Sequence, residues 1–311
     1  MTGAAARACP AARRGVVFAA LLIGLAGRRA QSAGDAPASP DYGAPQLLCE
    51  VTDARIREAS GIAASRRHPG LFYTLNDSGN APDVFLLDRS GAVRAVIRPS
   101  GAVNRDWEDI AIAPRAGGGF DVCVADIGDN RGRRDEVALV RFAEPDLPEN
   151  PAETISAEAR SVRFRYPDGP RDAEGLAIDP ASGAAFIFSK RTDGRCDVYL
   201  APAETDRSSV AKHIGSLPFP AGAVPLSTLV TAADISPDGR RLATRSYLCG
   251  WEWDLPSGGV RALVASAGEA PRRLVLAPEP KGEALGYSHD GRALLTIGEG
   301  APTAVYEARE E

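Results

Sequence analysis

One phrase, repeated five times, constrains the fold of this chain more than any other feature. It reads Ser60-Gly61-Ile62-Ala63, then Glu108-Asp109-Ile110-Ala111, then Glu174-Gly175-Leu176-Ala177. Weaker copies follow at Thr231-Ala232-Ala233-Asp234 and Glu283-Ala284-Leu285-Gly286. Their first positions lie 48, 66, 57 and 52 residues apart, a period that marks a repeat architecture. A polar turn follows each phrase: RRHPG (66–70), PRAGGG (114–119), DPASG (179–183), SPDG (236–239) and SHDG (288–291). Gly and Pro supply the backbone angles of a hairpin there. A short apolar run comes next (71–75, 120–125, 184–189, 241–244 and 293–297), then a third strand such as 83–87 or 196–200. Complete units end in a turn and a fourth strand, as at 92–97 and 260–264.

Four antiparallel strands per unit, five times over, predict an all-β propeller of five blades. Scarcely any segment carries a helical apolar stripe, which agrees. The fifth unit lacks an outer strand, and the unplaced run Gln46–Val51 is expected to complete it, closing the ring. The propeller then occupies 46–308 as one domain. The only places for a sixth blade are the 143–160 insert and the stretch around 265–282, both rich in Pro and Ala.

Residues 1–38 read as an export signal and short linker. Arg7, Arg13 and Arg14 precede the apolar run Val16–Ala26, which is too short to span a bilayer stably, and small residues follow. The mature chain is therefore expected in the periplasm or outside the cell, with no stable membrane span. Cleavage after residue 33 would remove five arginines and no acid, leaving 31 basic against 41 acidic side chains. So acidic a surface repels phosphate backbones and argues against nucleic acid as a partner. Cys49, Cys123, Cys196 and Cys249 are either two disulfides or four small buried hydrophobes. With no CxxC pair, a structural zinc site is not expected.

The first strand of each propeller blade lines the central channel, and ligands bind where loops converge on one face. The phrase places Glu108, Glu174 and Glu283 at equivalent inner points, with Asp106, Asp109, Asp172 and Asp234 beside them. Crowded carboxylates call for a cation, shared protons or basic partners. The ends of the second strands give another equivalent set: Asn76 and Asp77, Asp126, Lys190, Arg245 and Glu299, with Asp129 and Asn130 added by DIGDN. That mixed set suits a polar ligand whose anionic groups meet Lys190 and Arg245. The competing structural account is that these acids hold turns and bind backbone amides of neighbouring blades. Trp107 fits a blade seal, and Trp251 and Trp253 fit packing on a third strand. GxSxG, HExxH and Walker patterns are all missing from the sequence.

The phrases DWEDIA (106–111), DIGDN (126–130), DAEGLAID (172–179), SPDGRRLATRSY (236–247) and GEALGYSHDGRALLTIGEG (282–300) resemble those of little-characterised secreted bacterial propellers of the WD-repeat-like kind. That group is distantly similar to esterase-like phytase and gluconolactonase-like propellers. The gluconolactonase-like likeness implies a divalent metal held by a Glu, Asn residues and an Asp. On this chain it falls on Glu174, Asn76 and Asp126, although that family has six blades.

Three functions are consistent with these residues. The first is an exported propeller that binds a polar small molecule or envelope glycan at an acidic mouth, with Ca2+ or another divalent cation. The second is a hydrolase on the same ring, of glycosidase or metal-assisted esterase, lactonase or phosphatase type, with Glu108, Glu174 and Glu283 as its catalytic candidates. The third is a scaffold that presents one propeller face to a protein partner.

Overall fold

The computed structural model describes residues 42–151, 153–204, 209–266 and 270–311. The proposed export signal, and with it the 1–38 boundary, lies outside the described residues. The strand β1 (Gln46–Val51) finds no local partner and pairs antiparallel with the last strand of the chain. Blade I follows as β2 (Ala59–Ala64), β3 (Phe72–Asn76), β4 (Val84–Leu87) and β5 (Val93–Pro99). Blade II starts with β6 (Trp107–Pro114), β7 (Phe120–Asp126) and β8 (Val137–Ala143). The chain then lends β9 (Thr154–Ala157) to blade I, parallel to β5, and returns with β10 (Ala159–Phe164) as blade II's outer strand. Blade III is β11 (Ala173–Ile178), β12 (Ala185–Ser189), β13 (Asp197–Leu200) and β14 (Lys212–Ser216). Blade IV is β15 (Ala232–Ile235), β16 (Arg241–Arg245) and β17 (Gly250–Asp254), then helix α1 (Gly259–Ala265) and β18 (Arg272–Leu274). Blade V is β19 (Gly282–Tyr287), β20 (Ala293–Gly298) and β21 (Thr303–Arg309), with β1 outermost.

Five sheets make five blades, and the ring closes through β1 and β21 as expected. Neither segment reserved for a sixth blade forms one: 143–160 supplies β9 and leads into β10, and 265–282 supplies β18. The stretch 260–264, expected as a fourth strand, is instead helix. Val260, Leu263 and Val264 sit at helical spacing, and burying Val260 and Leu263 in the core between blades III and IV favours the helix.

Apolar side chains fill the blade junctions. Trp107 is fully buried between blades I and II, so it seals that junction. Trp251 and Trp253 pack between blades III and IV. The four cysteines are free thiols buried in these same junctions, and among the described residues they form no disulfide.

At the axis the inner strands come so close that only small residues fit. A Cβ at Gly286 of β19 would overlap the Ile62 carbonyl of β2. Two acids lock this level. Asp109, fully buried, accepts hydrogen bonds from Ile110 N–H (2.8 Å), from Leu176 N–H of blade III (2.8 Å) and from Ala233 N–H of blade IV (3.2 Å). Asp234 accepts from Ile235 N–H (2.8 Å) and from Tyr287 N–H of blade V (2.8 Å). These two behave as the structural account of the acids anticipates.

Candidate functional site

The equivalence of the inner positions has a backbone cause. In four blades the pairing of first and second strands slips by one residue, between Ala59 and Gly61, Trp107 and Asp109, Ala173 and Gly175, and Gly282 and Ala284. The extra residues are Ser60, Glu108, Glu174 and Glu283. A β-bulge re-aims the side chain that it carries. Blade IV has no bulge: Thr231 N–H simply donates to the Arg245 carbonyl ahead of β15. Ser60 Oγ donates to the Glu108 carbonyl (2.5 Å), fixing the backbone beneath the next bulge.

Glu108 and Glu174 are the most buried members of a funnel of acidic side chains, each 4% exposed. Asp77, Asp106, Asp172, Glu283 and Glu299 stand around them, half-buried. One carboxylate oxygen each of Glu108, Asp172 and Glu174 lies within 4.8 Å of the others, and the same holds for Asp77, Asp106 and Glu108. Lys190 reaches into this group, donating to Glu174 Oε1 and to Tyr247 Oη (2.9 Å). Tyr247 Oη in turn donates to Glu283 Oε1 (3.2 Å). The three inner glutamates therefore converge, Glu283 through a tyrosine.

Electrostatics follows from this crowding. Burial, then repulsion from Glu174, Asp77, Asp106 and Asp172, pushes the Glu108 carboxyl well above its usual range. Burial does the same for Glu174, although Lys190 opposes it. Asp77, Asp106 and Asp172 are raised as well, burial first. Glu283 is pushed up to about 7 by burial and by Glu299. Burial works against the Lys190 ammonium, yet Glu174 and Tyr247 hold its pKa above the ordinary value.

Glu108 is singular within this group. Its carboxylate has no hydrogen-bond or ion-pair partner among the described residues, although it is almost wholly buried. It lies against Gly128 of DIGDN, where a Cβ would overlap both Glu108 Oε1 and the Asp106 carboxyl. The two carboxyls fill the space that a Cβ would take, so only glycine fits there.

The second-strand set divides. Asp77 and Lys190 join the funnel, and Glu299 sits at its edge, paired with Lys281 (2.8 Å). Asn76 does not face the funnel: its Oδ1 accepts from Arg57 and Glu58 N–H (both 3.0 Å), and its Nδ2 donates to the Arg55 carbonyl (2.7 Å). Asp126 is engaged by Arg134 (2.8 Å) and by Asp106 N–H (3.2 Å). Asp129 caps its own turn through Arg133 and Arg134 N–H, and its own N–H holds Asp172 Oδ1 (2.9 Å). Asn130 is exposed at the loop tip. Arg245 turns into the junction of blades IV and V, on Glu279 (2.5 Å) and the Ala284 carbonyl (3.1 Å), and is 2% exposed.

Of the metal set implied by the gluconolactonase-like likeness, only Glu174 belongs to a group spaced for an ion. Its partners are Glu108 and Asp172, not Asp126 and Asn76. The sequence carries a signal for these partners. Asp106-Trp107-Glu108 and Asp172-Ala173-Glu174 repeat one D-x-E step in successive blades, and a period of two puts both acids on one side of a strand start. Tyr247 has no such signal.

No protein-family model matches the chain, and no curated protein matches it by sequence. Among solved structures the chain is similar to the crystal structure of Myxococcus xanthus glutaminyl cyclase, at 11% identity over 86% of this chain and 97% of that one, with a TM-score of 0.48. Among the described residues no helix is long and apolar enough to cross a membrane.

Proposed function

We propose that this is an exported propeller whose acidic mouth takes up a divalent cation of the calcium kind, and with it a polar small molecule or envelope glycan. One observation carries the reading: Glu108 is buried and unpartnered, yet its oxygen is within 4.8 Å of those of Asp172 and Glu174. A carboxylate in that state stays ionised at neutral pH only where a cation offsets it, and otherwise takes up a proton. Oxygen-only donors suit a hard ion.

Calorimetric titration of chelator-treated protein with CaCl2 tests this. Saturable binding is expected in the wild type, weakened at least tenfold in Glu108→Gln. Binding should be unchanged in Asp146→Asn, an exposed acid beside Arg67. Equal affinity in all three proteins, or no binding in any, would sink the reading.

A metal-assisted hydrolase is the second reading, and one observation favours it. The chain Lys190, Tyr247, Glu283 sets a carboxyl with a pKa of about 7 beside the cation group, where it can take or give a proton near neutrality.

A further inference from the structure

The two carboxylate groups share one member, and it is the buried, unpartnered one. We propose that the mouth holds two divalent cations side by side, bridged by the Glu108 carboxylate. One ion lies between Glu108, Asp172 and Glu174, and the other between Glu108, Asp77 and Asp106. The inference rests on the cation reading above and extends it from one ion to a pair.

Two features support a pair. The first is spacing. Calcium–oxygen contacts of about 2.3–2.6 Å put oxygens on opposite sides of one ion at most about 5 Å apart. Each group keeps its three oxygens within 4.8 Å. The second is charge. The two groups hold five carboxylates: Lys190 offsets the one on Glu174, and two divalent cations offset the remaining four, while Glu299 outside them has Lys281. A single ion would leave the group strongly negative.

The two halves also differ in their supports, so each can be removed separately. Asp172 is held by Asp129 N–H in the loop after blade II's second strand, and Glu174 by Lys190. Asp77 is held by Ser78 N–H in blade I. Asp172→Asn is expected to empty one half and Asp77→Asn the other.

Mn2+ is the probe, because it accepts the same oxygen donors and is paramagnetic. Metal-free protein is titrated with MnCl2 and followed by calorimetry and electron paramagnetic resonance. The expected result is two ions per chain, with an exchange-coupled spectrum in place of six isolated lines. Asp172→Asn and Asp77→Asn should each bind one ion and give the uncoupled six-line spectrum, and Glu108→Gln should weaken both sites at least tenfold. Melting curves confirm that each variant is folded. One ion per wild-type chain, lost in Asp172→Asn and unaffected by Asp77→Asn, overturns the pair while leaving the single-cation reading standing. No ion in the wild type overturns both.

Discussion

Asp109→Ala is expected to destabilise the propeller by roughly 3–6 kcal/mol, because each buried donor left unpaired costs about 1–3 kcal/mol. Three backbone N–H groups, from blades II, III and IV, lose their acceptor at a fully buried point. For a domain of this size the melting temperature should fall by roughly 5–11 °C. Asp109→Asn keeps the shape and one acceptor oxygen, so it should lie between wild type and alanine. Thermal melts of the three proteins check this. A loss below about 1 kcal/mol for the alanine variant, within the range of ordinary surface changes, would mean that the ring is held elsewhere.

The second large effect is on pH. Glu283 goes from an ordinary 4.5 to about 7 in the folded protein, and burial raises Glu108 and Glu174 well above their ordinary range in the same direction. A carboxyl with a raised folded pKa holds a proton that the unfolded chain has already released. Its contribution is full below the unfolded pKa and is lost as pH rises through the folded one. Glu283 alone accounts for about 2–3 kcal/mol, allowing for its partial exposure. Acids lowered by hydrogen bonds, such as Asp53 and Asp193, act oppositely and only in more acidic solution. Metal-free protein should therefore be most stable near about pH 5 and lose several degrees of melting temperature by about pH 8. Millimolar CaCl2 should restore those degrees at the alkaline end and do little at the acidic end, where protons compete for the same oxygens. Glu108→Gln should flatten the pH slope and shift the calcium response to at least tenfold higher concentration. A melting temperature that rises steadily from acid to alkaline pH without metal would contradict the site's electrostatics.

How much of this the sequence discloses depends on what each feature requires. The blade count and the closing strand Gln46–Val51 are legible because the phrase and its turn recur, and a repeat is a property of the chain alone. Helix α1 is hidden by the strand expectation placed on 260–264, although the spacing of Val260, Leu263 and Val264 already suits a helix. The parallel strand β9 depends on an open edge in another blade, which no local pattern reports.

At the mouth, the convergence of Glu108 and Glu174 follows from register, and Asp106 and Asp172 follow from the repeated D-x-E step. The bulges that aim these acids are properties of pairing and leave no mark on residue type. Arg245 illustrates the limit most clearly. Its position matches Lys190, but a long side chain goes where its counter-charge lies, and Glu279 draws it into the next junction. Tyr247 enters from two residues beyond Arg245, tied to the funnel only by contacts with Lys190 and Glu283.

Anomalous scattering from crystals grown with millimolar MnCl2 near neutral pH would reveal metal at the acidic mouth. Anomalous density is expected within bonding distance of the Glu108 carboxylate, shared with Asp172 and Glu174. Crystals that show manganese elsewhere on the surface but none at Glu108 would contradict the cation reading.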